Sequence, residues 1–204
     1  MGIYIQGIVV QWFITVAIVV AMWFSNDSLA EIGISNHAGP YVVILLLMLL
    51  SSVWIYTRFK PKTKTLNFIA KLYRHVSHYL PQTQRQYKWG VVLSYTAGFC
   101  EELIYRGFVY WQLSTWFGMW PSVILANVIF ALTHYATGWK NSIGALALGL
   151  VFSWIYLSTG DLWLAAVMHT AIDLLAMTLF PLTSQFSETA NPSLNEAQNK
   201  VTKG

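Results

Sequence analysis

The sequence carries six ionisable side chains inside segments that are otherwise apolar or aromatic. They are Glu101, Glu102, Arg106, His134, His169 and Asp173. An ionised side chain at bilayer depth costs from about 3 to more than 10 kcal/mol, so such residues are rare and usually functional. Carboxylates and imidazoles are also the side chains that most often transfer protons or bind metal ions in proteins. The pattern therefore predicts a functional site in the interior of a membrane protein.

The composition supports a membrane protein independently of these six residues. Of the 204 residues, 56% are hydrophobic and only 10% are charged, whereas a soluble domain carries about 25% charged residues. The formal net charge of +4 does not indicate nucleic-acid binding, because the basic residues cluster beside hydrophobic spans rather than among exposed aromatic residues. The surface is therefore expected to contact the lipid bilayer.

Hydrophobic runs divide the chain into about six transmembrane helices of roughly twenty residues each. The runs cover residues 3–24, 40–56, 89–117, 122–135, 142–157 and 162–180. The first two contain no charged side chain and are expected to act as scaffold. The predicted fold is all-α, a polytopic membrane helix bundle with one additional interfacial amphipathic helix. We expect a single transmembrane domain over residues 1–183, with the functional motifs within 91–175, and a disordered polar tail over 184–204.

Residues 58–88 form the most basic segment of the chain. It contains eight of the twelve basic residues and no acidic residue, namely Arg58, Lys60, Lys62, Lys64, Lys71, Arg74, Arg85 and Lys88. Positively charged loops stay on the cytoplasmic side of a membrane, so this segment and the N-terminus are both expected there. Apolar residues recur at helical spacing from Leu66 to Leu80. This periodicity predicts an amphipathic helix on the anionic membrane surface.

Three pairs of residues are spaced four apart, as are neighbours on one face of a helix. The pairs are Glu102 with Arg106, Phe130 with His134, and His169 with Asp173. Because polar groups avoid lipid, the three patches are expected to face one another inside the bundle.

Within this set, Glu102 and Arg106 are expected to form a buried ion pair that neutralises both charges and locks their helix. Glu101 has no obvious local partner. A carboxylate in a water-poor cavity is a candidate general base. A lone helix histidine is weak evidence of function, but His134 and His169 together with Glu101 favour a functional site.

These residues form three ordered motifs, Glu-Glu-x-x-x-Arg from Glu101, Phe-x-x-x-His from Phe130 and His-x-x-x-Asp from His169. Such motifs on separate spans resemble the CPBP family, which comprises the CAAX prenyl endopeptidases and their bacterial relatives linked to bacteriocin processing or immunity. The resemblance covers about Val91 to Asp173. It implies a CAAX protease-like, glutamate-dependent intramembrane endopeptidase that hydrolyses a membrane-associated or lipidated peptide or protein substrate.

The resemblance also implies roles for individual residues. By similarity, Glu101 activates a water that His134 helps to hold, and His169 with Asp173 stabilises the oxyanion. The supporting residues are Glu102, Arg106 and Phe130. Asp173 departs from the asparagine of the eukaryotic prenyl proteases, because an ionised carboxylate cannot donate a hydrogen bond to an oxyanion. It must therefore be protonated, orient His169 from behind, or bind a metal.

No cofactor is expected, and zinc is the alternative. His134, His169 and Asp173 are acceptable Zn²⁺ ligands, with Glu101 as the base of a zinc-dependent membrane protease. The paired-histidine motif His-Glu-x-x-His of many zinc proteases is absent from the sequence, which favours the metal-free reaction.

Two other classes of function remain open. Glu, His and Asp inside a bundle also describe the proton path of a transporter, although the small size and the lack of repeated, broken helices argue against one. A non-enzymatic immunity or adaptor protein would keep the motifs only for helix packing. The substrate and the oligomeric state stay open, and we expect a multi-pass protein of a bacterial cytoplasmic membrane.

Overall fold

The computed structural model describes residues 2–34 and 37–190, and this part of the chain is helical throughout, without strands. Its α-helices are α1 (Gly2–Ser25), α2 (Ala38–Arg58), α3 (Thr63–Leu72), α4 (Gln84–Glu102), α5 (Tyr110–Phe117), α6 (Met119–Thr133), α7 (Trp139–Thr159) and α8 (Leu162–Ala190). A π-helix over Leu103–Val109 joins α4 to α5 without a break. Short 3-10 helices cover Leu29–Ile32, Ser77–Tyr79 and Tyr135–Thr137.

Within the described residues, five helices are long and apolar enough to cross a membrane. They are α1, α2, α6 with the 3-10 turn that follows it, α7, and α8 as far as Thr183. Their outer faces expose large apolar side chains such as Phe13, Trp23, Leu50 and Trp154, as contact with lipid requires. The predicted helical membrane bundle is confirmed, and the chain is an integral membrane protein.

The remaining expected span, which carries the paired glutamates, is the central helix of the bundle. α4 packs most extensively against α8 and next against α1. Its buried side chains include small and polar ones, among them Ser94, Thr96 and Glu102, so it is less apolar than the five helices around it. A charged helix is tolerated inside a membrane when protein rather than lipid surrounds it.

Gly98 lets α4 and α8 approach until their backbones touch. A Cβ at this position would lie 2.7 Å from the backbone nitrogen of Thr170 and 2.9 Å from the carbonyl oxygen of Ala166. Small residues at a crossing permit this kind of contact between membrane helices. Because Gly98 lies one turn before Glu101 and Glu102, the crossing brings these carboxylates beside the α8 segment that carries His169.

The amphipathic helix predicted in the basic segment is present as α3, which packs on α8 with Leu66 and Ile69 buried. The expectation that it continues to Leu80 is wrong, because α3 ends at Leu72. Leu80 has extended backbone angles, φ −90° and ψ 152°, and it precedes Pro81, which disfavours a helical conformation of the residue before it. The chain between α3 and α4 is therefore irregular, and it forms one wall of the cavity described below.

The polar tail predicted from residue 184 begins within α8, whose bounds are Leu162–Ala190. Residues 191–204, the rest of that predicted tail, lie outside the described residues.

Replacing Gly98 by alanine should destabilise the bundle by about 1–3 kcal/mol, the usual cost of overpacking, because the added methyl has no room between α4 and α8. Thermal unfolding of the purified protein in detergent measures the effect. Gly144→Ala in α7 is the matched control, because a Cβ there has nothing within 4 Å and alanine favours a helix over glycine. Equal stability of the two variants would contradict the close crossing of α4 and α8.

Candidate active site

The paired glutamates lie where the central helix changes its geometry. Glu101 and Glu102 are the last two residues of α4, and Arg106 lies in the π-helix that follows. π-helical turns are rare and occur frequently at functional sites. The Glu102 side chain is fully buried and that of Glu101 is 14% exposed. Two neighbouring carboxylates are thus enclosed by the bundle.

Glu102 and Arg106 form the buried ion pair that their spacing predicts. The Arg106 Nη1 donates to Glu102 Oε1 over 3.0 Å, and its Nη2 donates to Asn127 Oδ1 of α6 over 3.2 Å. The guanidinium carbon lies 4.4 Å from the centre of the Phe130 ring. Gly149 of α7 leaves the space, since a Cβ there would lie 2.7 Å from Arg106 Nη2. The Arg106 side chain is therefore held from several helices, and its charge is compensated locally.

The imidazole of His169 lies between the two carboxylates. Its Nδ1 donates to Glu102 Oε1 over 2.8 Å, since a carboxylate paired with arginine only accepts. Its Nε2 lies 3.8 Å from Glu101 Oε2 and 3.7 Å from Asp173 Oδ2. The Phe152 ring stacks on the imidazole with 5.0 Å between ring centres. These contacts fix the orientation of the ring and direct Nε2 toward Glu101 and Asp173.

Glu101 has a partner that the sequence did not reveal. The amide Nε2 of Gln11 in α1 donates to Glu101 Oε1 over 2.6 Å. The other carboxylate oxygen, Oε2, is buried and has no hydrogen-bond partner among the described residues. This partner lies on a separate helix, 90 residues away along the chain, so α1 contributes a contact to the cluster in addition to its expected role as scaffold. One oxygen of Glu101 is held, and the other is turned toward His169.

His134 stands at the C-terminal end of α6 and is half-buried. Its Nδ1 lies 3.0 Å from the carbonyl oxygen of Phe130. The Phe130 ring contacts both imidazoles, with ring centres 4.6 Å from His134 and 6.2 Å from His169. The three predicted patches thus face one another, with His134 at the edge of the cluster.

Three residues of the cluster were not predicted from the sequence, Gln11, Asn127 and Phe152. Gln11 and Asn127 are amides within apolar helices, and a buried amide in lipid needs a partner. Asn127 also lies three residues before Phe130 and so shares its helix face. Nothing in the sequence distinguishes Phe152 from the other aromatic residues of α7.

A cavity of about 430 Å³ opens beside Asp173. Its walls come from the irregular segment after α3, from α7 with the turn before it, and from α8, and most of its lining is apolar. Polar groups are contributed by Tyr73, Tyr79 and Asn141. Burial, with a smaller contribution from Asp173, raises the pKa of the Tyr73 phenol, so this hydroxyl remains a hydrogen-bond donor at neutral pH. The cluster therefore borders a space large enough for part of a peptide.

The structure does not bring the side chains proposed as zinc ligands together in a preformed metal site. Within residues 2–34 and 37–190, no group of three or more His, Cys, Asp or Glu side chains is placed to hold a metal ion. The Nδ1 atom of His169 is bonded to Glu102, and that of His134 faces the Phe130 carbonyl, which leaves the Nε2 atom of each ring available to a metal ion or a water. The metal-free reaction and its zinc-dependent alternative therefore both stay predictions.

Residues 83–175 match the family described as type II CAAX prenyl endopeptidase, Rce1-like. This match, over a little less than half of the chain, supports a relationship to the CPBP/CAAX protease family. The match runs from α4 into α8 and includes the residues of all three motifs, whereas α1, α2 and α3 lie outside it. The similarity supports a CAAX-type intramembrane protease, a class of enzyme whose substrates are peptides or proteins. No curated protein and no solved structure matches the chain.

In this bundle, loss of the Arg106 charge should be strongly destabilising. Arg106→Met leaves the Glu102 carboxylate buried without its cation, at an expected cost of about 3–5 kcal/mol. Thermal unfolding in detergent measures the loss, and Arg58→Met at the exposed end of α2 is the control for removing an arginine.

The double variant Glu102→Gln with Arg106→Met removes both charges and should recover part of the stability that Arg106→Met loses. If the double variant were no more stable than Arg106→Met, the ion pair would not be the reason for the loss.

Proposed function

We propose that this protein is an intramembrane endopeptidase in which Glu101 is the general base that activates water. The observation that carries the proposal is the setting of Glu101 Oε2, which is buried, lacks a partner among the described residues and lies 3.8 Å from His169 Nε2. A separation beyond direct hydrogen bonding is one that a water can bridge. The adjoining cavity beside Asp173 provides room for the scissile peptide.

His134 is proposed to hold the same water. Its Nδ1–H donates to the Phe130 carbonyl oxygen over 3.0 Å, so in the neutral ring Nε2 is free of a proton and accepts a hydrogen bond. Such an acceptor binds one hydrogen of the water and so orients it, and it does not itself bind the carbonyl oxygen of the scissile peptide. The Phe130 ring contacts both His134 and His169, which supports a place for His134 near the same water.

The proposed reaction begins when the water oxygen bonds to the carbonyl carbon of the scissile peptide while Glu101 accepts the water proton. A tetrahedral intermediate forms, with its negative charge on the former carbonyl oxygen. Collapse of the intermediate breaks the carbon–nitrogen bond, and the proton held by Glu101 passes to the leaving nitrogen. The products are a new carboxyl group and a new amine, and Glu101 returns to its carboxylate form.

His169 is proposed to stabilise the oxyanion through Nε2. Because Nδ1–H is donated to Glu102, Nε2 donates only when the ring is a protonated imidazolium. Three carboxylates surround the ring, those of Glu101, Glu102 and Asp173, and they stabilise that positive charge. Asp173 thereby contributes through His169, which removes the difficulty that an ionised carboxylate repels an oxyanion.

The substrate is proposed to be a membrane-associated or lipidated peptide. The largely apolar cavity beside Asp173 and its position next to the interfacial helix α3 support this choice. The basic segment 58–88 contributes to the cavity wall, which supports a cytoplasmic position for the cavity and for the N-terminus.

Glu101→Gln should lower kcat for peptide cleavage by about 10²–10⁴-fold, because glutamine keeps the shape of glutamate but cannot accept the water proton. The assay follows hydrolysis of a lipidated peptide by the purified protein in detergent, with products identified by mass spectrometry. Glu31→Gln is the control, since Glu31 caps a short 3-10 helix in the first loop and should keep full activity.

Other outcomes of this assay separate the remaining functions. Full activity of Glu101→Gln would remove Glu101 as the base. Loss of cleavage on chelation, with recovery on addition of Zn²⁺, would favour the zinc-dependent reaction. Proton flux in liposomes without any peptide cleavage would favour a transporter.

Filling the cavity should impair cleavage without removing any charged side chain. Ala176→Trp places a large ring in the cavity wall, and we expect kcat/KM to fall by about 10-fold or more because even small changes of pocket volume have effects of this order. Ala147→Trp on the exposed face of α7 is the control and should cleave normally. Equal activity of the two variants would show that the substrate does not enter through this cavity.

A further inference from the structure

α1 contributes one polar side chain to the charged cluster, although it lies outside the residues matched by the family. Gln11 is half-buried, and its amide nitrogen lies 2.6 Å from Glu101 Oε1. This is a short contact for an N–H donor, whose usual distance to oxygen is about 2.9–3.0 Å. A hydrogen bond to a carboxylate is also stronger than one between neutral groups. Gln11 is therefore a specific partner of the candidate base.

The position of Gln11 is set by contacts on both sides of it along α1. Trp12 donates its indole Nε1–H to Thr96 Oγ1 over 3.3 Å, and its ring packs on Phe99 with 6.0 Å between ring centres. Nearer the start of α1, the Tyr4 hydroxyl donates to the carbonyl oxygen of Tyr79 over 2.9 Å. These contacts fix the register of α1 against α4. These contacts consequently hold the Gln11 amide at a defined distance from the Glu101 carboxylate.

The contact distinguishes the two oxygens of the Glu101 carboxylate. Gln11 binds Oε1, while Oε2 stays without a partner among the described residues and faces His169 Nε2 at 3.8 Å. A carboxylate with no such donor rotates about its terminal bond, because that torsion is soft. The Gln11 hydrogen bond therefore selects one orientation and keeps Oε2 available for a water.

We propose that Gln11 is a positioning residue for the reaction, which holds the Glu101 carboxylate in the orientation that takes a proton from water. This inference rests on the proposed function of Glu101. Gln11 acts through Glu101 and touches neither the water nor the peptide. The first helix thus completes the site that the residues of α4, α6 and α8 begin.

The test replaces Gln11 by methionine, which has a similar length and no amide. We expect kcat to fall by about 10- to 100-fold, since misplacement of a reacting group by 1 Å has an effect of this order, while KM stays unchanged because the peptide is not contacted. Gln6→Met is the matched control, because Gln6 is an exposed glutamine of the same helix and should keep the activity of the unaltered protein.

A double-variant cycle separates positioning from packing. In the Glu101→Gln background, Gln11→Met should cause no further loss of kcat, because Gln11 acts only through Glu101. An equal fractional loss in both backgrounds would overturn the inference and leave Gln11 as a packing residue. Full kcat in Gln11→Met alone would also overturn it, whereas full kcat in Glu101→Gln would overturn the proposed function itself.

Gln11→Asn keeps the test decisive if the methionine variant does not fold. Asparagine retains the amide but is one methylene shorter, so it loses the 2.6 Å contact with Glu101 while keeping the polarity of the position. A kcat reduced by about 10-fold or more with unchanged KM supports positioning, and a kcat equal to that of Gln6→Met overturns it.

Discussion

The structure depends on one carboxylate oxygen, Oε1 of Glu102, which accepts hydrogen bonds from two different elements. Arg106 of the π-helix donates from 3.0 Å and His169 of α8 donates from 2.8 Å. All three side chains are buried, so no solvent replaces a missing partner. The same oxygen neutralises a guanidinium, orients an imidazole and ties the central helix to α8. Loss of any one group leaves another buried and uncompensated, which is far more costly than loss of a surface ion pair.

The global fold and the main charged cluster follow from simple features of the sequence. Uncharged runs of about twenty residues identify the outer helices, because only helices satisfy backbone groups in lipid. The spacing of Glu102 and Arg106 and that of His169 and Asp173 place each pair on one helix face. Because exposure of charged groups to lipid costs free energy, these pairs are strongly favoured to lie together inside the bundle. The helical bundle and the gathering of its charged side chains were predictable on these grounds, whereas the hydrogen bond from His169 to Glu102 was not.

Other features depend on how helices rotate and cross, which no local pattern determines. α1 is apolar around its whole circumference, so its sequence does not indicate that Gln11 rather than Gln6 faces α4. The π-helix over Leu103–Val109 contains Gly107 but no proline, and no pattern in the sequence distinguishes it from an α-helix. The extended conformation of Leu80 follows from a local signal, because Pro81 disfavours a helical residue before it, whereas the end of α3 at Leu72 has no glycine or proline beside it. The catalytic roles of the clustered residues remain predictions, because geometry alone does not measure a reaction.

If the proposed function holds, the position of the cavity restricts the form of substrate that can approach the charged cluster. One wall is the irregular segment that follows α3, a helix with one buried face and one polar face, as helices at a membrane boundary have. At that boundary, backbone amides can exchange intramolecular hydrogen bonds for bonds with water, whereas in the middle of the hydrocarbon they cannot. A substrate segment that forms a continuous transmembrane helix would have to unwind, at a high cost in free energy, before one of its peptide carbonyl groups could reach the charged cluster. Loosely structured chain ends tethered at the surface meet no such barrier, so the architecture favours trimming at a terminus over severing a membrane span.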